Sequence, residues 1–500
     1  MEIKSFEEED ITKKSQKTCV IVGAGMGGLA CGAVLAKNGF KTLVFERNNT
    51  VGGVARAIEF NDYWLDEGGH YVIHVPGQTP DRDKVAKLAG ITTTCNVIKG
   101  QSMFLLWKGK EMPITKLWPL SPDYDRATLK KIYTELIDED INEIERFVAL
   151  MMVDLGKAIA TVNFETYNDL LENLPYIPIE EFIRQRTSNE KVVSWVINLA
   201  TICILIPAES VATCSTYLVL VLFAGLTTNQ FSYCYPTHPR YGGFAAMYEP
   251  YADVIRESGG EIHTRALVKK ITIEGGKTTG VIVERGGKDQ FIAADSVVCN
   301  VSPQVAYRIG LLDMGSFPNP YRDDFTQRVK TIEDGAKRYD VQIVNVHIGL
   351  KHKLVNTEAW IVILDDHGHA IGGIQTYSNL NPASAPKGKQ LLYINTFLYK
   401  VPREFSVVEK YAADTVLPVL RSWISDFDEN VEWMMAGFSP VVYAEYNQQM
   451  FSSHAKFENV TPVDNFYFAG MFTGRVTADG ALRTGAEVAE RVLGRKLFVK

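Results

Sequence analysis

Basic residues are in short supply. Lys and Arg number 52 against 59 Asp and Glu, giving a net charge of −7 and a pI near 5.8. Such a chain lacks the bulk electrostatic footprint of a nucleic-acid binder, so nucleic acid is not expected as a partner. Cysteine is sparse and scattered. The seven cysteines (19, 31, 95, 203, 214, 234 and 299) form no CxxC pair and no Cys/His spacing that would hold zinc. Free thiols, a reducing cytoplasmic compartment and no metal are therefore expected. Cys19 and Cys299 fall in apolar, strand-like runs and read as small buried hydrophobes. Also missing are a GxxxxGK[ST] phosphate loop, a Ser/His/Asp pattern, internal repeats and the apolar segment of a signal peptide. Residues 1–17 are polar and are expected to form a mobile tail. What remains is globular: 500 residues, 46% apolar, 22% charged and 11% aromatic. That excludes a disordered chain and suggests two or three domains at ~150 residues each.

The most informative segment starts at Thr18. A short β-branched run, Thr18 to Val22, leads into Gly23-Ala24-Gly25-Met26-Gly27-Gly28. A small-residue helix follows and stops near Asn38-Gly39, and a second strand from Lys41 to Phe45 ends at Glu46. Strand, glycine turn, helix, strand and acid, in that order, form a dinucleotide-binding βαβ unit. Gly23 allows the tight turn, Gly25 lets the backbone approach a pyrophosphate, and Gly28 lets the helix pack on the strand. The helix start offers free N–H groups and a positive dipole end to the phosphates. Glu46 can accept hydrogen bonds from both ribose hydroxyls, and an acid there argues against a 2′-phosphate.

Further pieces follow at a distance. Arg47 and the pair Gly52-Gly53 come after the ribose acid, then Asp66-Glu67-Gly68-Gly69-His70. The middle of the chain carries a helical stretch from about Phe244 to Arg256, a Gly259-Gly260 stop, and Val268 and Ile271 in a β-meander that returns through Asp295 to Asn300. Near the end stand Asn465-Phe466-Tyr467-Phe468-Ala469-Gly470-Met471 and Thr477-Ala478-Asp479-Gly480-Ala481-Leu482-Arg483-Thr484-Gly485. This combination resembles the FAD-dependent amine oxidase and phytoene desaturase superfamily. The pattern is closest to the phytoene desaturase and retinol saturase-like flavoproteins.

The resemblance implies FAD as cofactor. It places Gly23, Gly25, Met26, Gly27, Gly28, Glu46, Arg47, Gly52, Gly53 and Gly69 around the nucleotide. Val268 would hold the adenine through its backbone. Gly470 and Met471 would lie under the ribityl chain, and Asp479, Gly480 and Ala481 would start a helix aimed at the isoalloxazine edge. Two positions depart from the family pattern. Val54 stands where an Arg usually follows the glycine pair, with Arg56 two residues on as the candidate phosphate contact. Met471 stands where Asp is common, and Thr473 or Arg475 is available to compensate. His70 and Arg475 are the candidate catalytic residues. His70 has a second reading as a loop histidine bonded to backbone.

The fold implied is α/β: a Rossmann-type FAD-binding domain assembled from 18–89, 239–305 and 456–500. An inserted α+β substrate domain would fill 90–238 and 306–455. Asp140 to Ala158 reads as an amphipathic helix, and Tyr339 to Leu350 and Gln390 to Leu398 as antiparallel strands, with His347 a strand residue. Val192 to Pro207 and Ser215 to Leu226 are apolar but shorter than the ~18 residues of a membrane span. They read as core helices, as walls of an apolar tunnel, or as a peripheral membrane contact. The expected activity is forming or saturating a C=C bond in an apolar alicyclic, terpenoid or polyene-like substrate, with hydride passing to or from flavin N5. Oxygen, a quinone or another carrier would be the electron acceptor, since a second nucleotide fingerprint is absent. Double-bond isomerisation, amine oxidation and non-catalytic prenyl binding of the GDP-dissociation-inhibitor type are the alternatives.

Overall fold

Thr18–Val22 lies at the centre of a parallel sheet because it is apolar on both sides. The computed structural model describes residues 16–68, 71–133, 141–165, 170, 173–204, 211–212, 214–227, 231–339, 341–439, 457–473 and 477–498. Most of the expected N-terminal tail lies outside them. The parallel sheet has five strands in the order Glu261–His263, Lys41–Phe45, Thr18–Val22, Ser296–Cys299 and Phe466–Phe468. Alternation sends Cys19, Ile21, Val44 and Val298 to one face and Val20, Val22, Leu43, Phe45, Val297 and Cys299 to the other. Helices Met26–Lys37, Ala245–Glu257 and Thr477–Leu493 cover the first face through Leu29, Ile255 and Leu482. A three-stranded antiparallel sheet spanning 267–293 and helix Asn319–Tyr339 cover the second through Ile271, Val281 and Phe325. Burial on both faces is why these strands are continuous apolar runs rather than alternating ones. Cys19 and Cys299 are fully buried in them, as expected.

A second, seven-stranded sheet joins distant segments. Its order is Val431–Phe438, Val341–Leu350, Gln390–Tyr399, Ala370–Gln375, Trp360–Leu364, Met103–Trp107 and Lys110–Pro113. Only the pairing of Trp360–Leu364 with Met103–Trp107 is parallel. The chain is thus an α/β protein with parallel, mixed and antiparallel sheets. The expected pair of antiparallel strands is present, and His347 sits within the first of them.

The expected amphipathic helix spans Ile141–Ala160 and buries Ile144, Phe147, Val148, Met151 and Leu155. The two apolar stretches form helices Glu190–Ile204 and Thr216–Thr227. In the first, Val192, Trp195 and Ile202 are fully buried, so it is core. Among the described residues, no helix is long and apolar enough to cross a membrane.

Candidate functional site

The two glycine motifs meet at their backbones. Gly52 N–H donates to Ala24 O at 2.8 Å, and Gly25 and Gly52 form a parallel bridge. Gly52 adopts φ +107°, and a Cβ there would lie 2.6 Å from the Tyr248 ring, so both conformation and space require glycine. Helix Met26–Lys37 starts at Gly25 with no side-chain cap and no acid in its first turn. Its leading N–H groups and positive end are therefore left for an anion.

The C-terminal motif closes over this helix start. A Cβ on Gly25 would stand 2.5 Å from Asn300 Oδ1; one on Gly27 would stand 2.9 Å from Asn300 Nδ2 and 3.1 Å from the Gly470 nitrogen. Asn300 in turn donates to Ala469 O. The cradle is lined by glycine, backbone and one amide, and a side chain at Gly25 or Gly27 would fill it. This surface fits a pyrophosphate. Asn300 was not identifiable as a site residue from sequence, because only the sheet order brings the end of Ser296–Cys299 between the two glycine segments.

Glu46 is buried at the mouth of this cradle. Its carboxylate accepts Ala24 N–H at 2.9 Å and both the N–H and the Nδ2 of Asn48 at 2.8 Å. A carboxylate has about four acceptor sites, so roughly one remains for a ribose hydroxyl, not the pair expected from sequence. The backbone before Val268 abuts this acid: Ala266 N–H donates to Glu46 O at 2.9 Å and Arg265 N–H to Asn48 O at 2.8 Å. Val268 itself is buried against Val283.

Other expected contacts are placed differently. Arg56 is ion-paired to Glu67 rather than left free for a phosphate. Val54 is 53% exposed, and Arg47 is exposed as well. Met471 opens a short turn in which Thr473 Oγ1 donates to Gly470 O at 2.8 Å, so that hydroxyl is already occupied. Gly470 N–H donates to Thr484 Oγ1 at 3.0 Å, and Gly480 N–H to Thr477 Oγ1 at 3.3 Å. The Asp479 carboxylate turns away into a buried ion pair with Arg82 Nη1 at 2.7 Å. Burial pushes the Asp479 carboxyl up to about 6, against the lowering pull of Arg82. Gly69, His70 and Arg475 lie outside the described residues.

Asp66 organises a second buried centre. Its carboxylate accepts Phe244 N–H at 2.8 Å, at the head of helix Ala245–Glu257, and the Tyr235 hydroxyl. His347 Nε2 lies 2.8 Å from Asp66 O and its ring stacks on Tyr393 at 4.7 Å. Tyr235 stacks on Tyr377 at 5.0 Å. Burial pushes the Asp66 carboxyl up to about 8, against the lowering effect of Tyr235 and Phe244. An acid raised in the folded state stabilises fully below its unfolded value near 3.8 and loses that contribution as pH rises toward 8. Asp66→Asn is therefore expected to gain stability relative to the parent as pH rises from 4 to 8.5, read by urea unfolding at several pH values. A pH-independent difference would contradict the buried-acid assignment.

A cavity of about 320 Å³ opens beside helix Ile141–Ala160. Its walls include Val75, Met152, Leu155, Phe164, Val221 and Phe231. Of the two apolar stretches, Ser215 to Leu226 contributes walls through Val221, Ala224 and Gly225, and among the described residues Val192 to Pro207 contributes none.

The glycine cradle, the buried acid Glu46 beside it and the C-terminal helix fit a nucleotide cofactor on an α/β fold, and comparison with known proteins narrows the class. The profile of the family described as flavin containing amine oxidoreductase matches residues 26–493. The chain belongs to that family, and its cofactor is FAD. It is 23% identical over 308 residues to a 4,4'-diapophytoene desaturase (4,4'-diapolycopene-forming) of Methylomonas sp, covering 57% of this chain and 53% of that protein. It is 22% identical over 429 residues to the all-trans-retinol 13,14-reductase of Rattus norvegicus, covering 82% of this chain and 67% of that protein. The chain thus spans only about half the length of the first of these relatives. Among solved structures, an oxidoreductase from Methanosarcina mazei shares the fold with a TM-score of 0.64 at 19% identity, covering 95% of this chain and all of that one.

Proposed function

We propose that this chain is an FAD-dependent oxidoreductase that forms or saturates a C=C bond in an apolar, polyene-like or terpenoid substrate. The observation that carries the reading is the 320 Å³ cavity, lined mainly by hydrocarbon, with Gln78 the one polar side chain among its described walls. Pockets of this size and lining hold small apolar ligands. An amine substrate would find only the Gln78 amide and no carboxylate among the described lining residues. The desaturase and retinol reductase relatives support the same substrate class. Bound FAD supplies the two-electron hydride chemistry.

In this reading the chain binds and orients. Gly25, Gly27 and the start of helix Met26–Lys37 take the pyrophosphate, Glu46 takes one ribose hydroxyl, and the backbone near Val268 takes the adenine. The start of helix Thr477–Leu493 faces the flavin, through its N–H groups rather than the Asp479 carboxylate. Segments 18–89, 239–305 and 456–500 act as a Rossmann-type FAD-binding domain, and 90–238 with 306–455 as the substrate domain. Oxygen, a quinone or another carrier accepts the electrons.

Gly156 offers a direct test. It lines the cavity, and nothing stands within 4 Å of a Cβ built on it. Gly156→Trp places its Cβ in open space beside the cavity, should narrow the cavity with its ring and should improve local helix propensity. The expected result is unchanged FAD content and Tm with a KM for apolar substrate raised about tenfold, the scale of losing part of a hydrophobic pocket. An unchanged KM would remove the cavity from the substrate path.

A further inference from the structure

A tight turn sets one polar side chain on the wall of the apolar cavity. Val75-Pro76-Gly77-Gln78 leaves strand Val72–His74, which pairs with Ser232–Thr237. Gln78 N–H donates to Val75 O at 3.2 Å, and Gly77 adopts φ +79°. Proline in the second position and a positive-φ glycine in the third make this a type II turn. The tip, Pro76 and Gly77, is exposed, whereas the two ends, Val75 and Gln78, are half-buried and line the cavity. Helix Asp81–Ala89 follows, and its Arg82 donates to Ile73 O at 3.2 Å and pairs with Asp479. The turn is thus held between the sheet and the start of helix Thr477–Leu493.

The chemistry of the wall is one-sided. Gln78 carries the one polar side chain among the described lining residues, and none of those residues is charged. The turn occupies its backbone N–H, but its side-chain amide makes no hydrogen bond among the described residues. A primary amide offers two N–H donors and a carbonyl acceptor. A hydroxyl both donates and accepts, so it answers both sides of the amide. A carboxylate or an ammonium would give up its hydration with no opposite charge at the wall. A ligand of hydrocarbon alone would take water from the amide and return no hydrogen bond.

We propose that Gln78 is a specificity-determining residue that binds a hydroxyl at one end of the apolar substrate, an inference that rests on reading the cavity as the substrate site. The ligand is then an apolar alcohol. Its chain lies against Met152, Leu155, Val221 and Phe231, and its oxygen reaches the Gln78 amide. Because Gln78 sits on an anchored turn, this bond fixes how far along the cavity the chain lies.

The test measures the dissociation constants of the FAD-loaded protein for farnesol and for deoxyfarnesol, the hydrocarbon that lacks only its hydroxyl, by quenching of intrinsic fluorescence. Gln78→Leu keeps the side-chain size and the backbone N–H of the turn, so FAD content and Tm should not change. It should weaken farnesol binding about fivefold, the scale of one neutral hydrogen bond. The hydrocarbon should bind the variant as tightly as the parent or more so, since the amide gives way to apolar surface. Gly156→Trp should weaken both ligands alike. If Gly156→Trp weakens both but Gln78→Leu changes them equally or not at all, the proposal alone is overturned. If neither ligand binds, or neither responds to Gly156→Trp, it falls together with the reading of the cavity.

Discussion

Gly25→Ala is expected to leave the chain folded and to weaken its binding of FAD. The added methyl group meets only the Asn300 side chain, Oδ1 at 2.5 Å and Cγ at 3.6 Å, with the next residue, at Gly53 Cα, 3.9 Å away. A flexible amide can move aside, so unfolding midpoints should shift little. The methyl occupies the line along which the backbone must approach a pyrophosphate. It also displaces the Asn300 side chain that spans Gly25, Gly27 and Ala469. FAD affinity should fall about 100-fold, or ~2.7 kcal/mol, measured by titrating apoprotein with FAD and following flavin fluorescence. Gly28→Ala is the contrasting control. There the Cβ would stand 2.4 Å from the Gly23 backbone oxygen, and the fold itself should suffer. If Gly25→Ala kept normal FAD affinity, the cradle would be misassigned.

The second large effect concerns Arg82. Arg82→Met should destabilise the protein by about 3–5 kcal/mol at pH 8, because it leaves the Asp479 carboxylate buried and unpaired. Asp479 already sits at about 6 with Arg82 present, and without that cation it rises further. Its unfolded value is near 3.8. The penalty is therefore complete above the folded value and fades as pH falls toward the unfolded one. Denaturant melts at pH 5 and pH 8 should show the smaller loss at pH 5. The double change Arg82→Met with Asp479→Leu removes both charges and should recover most of the stability. A pH-independent loss, or a double variant no better than the single one, would show that Arg82 acts through packing alone.

What could be read from the sequence was local. The strand, glycine turn, helix, strand and acid of 18–46 sit within one stretch of chain, and each step has its own residue chemistry. The helix expected over 140–158 and the paired strands expected at 339–350 and 390–398 carry their period in their own residues; they are observed as Ile141–Ala160, Val341–Leu350 and Gln390–Tyr399. Partner choice was not legible. Asp479 could be read as the start of a helix aimed at the flavin, but the partner of its carboxylate, Arg82, lies 397 positions away. Arg56 looked available to a phosphate, but Glu67, eleven residues later, neutralises it. Asn300 looked like the end of a strand, and only the sheet order places it among the glycines. The apolar helices looked alike, yet among the described residues only the second reaches the cavity.

Anaerobic flavin spectroscopy discriminates between an apolar CH–CH substrate and an amine as the electron partner of bound FAD. Oxidised holoprotein is mixed with an apolar polyene or an amine, and photoreduced holoprotein with a conjugated apolar acceptor. Flavin redox changes are expected only with the apolar conjugated compounds and none with primary amines or amino acids. Bleaching of the flavin by an amine, with no response to any polyene or enone, would contradict it.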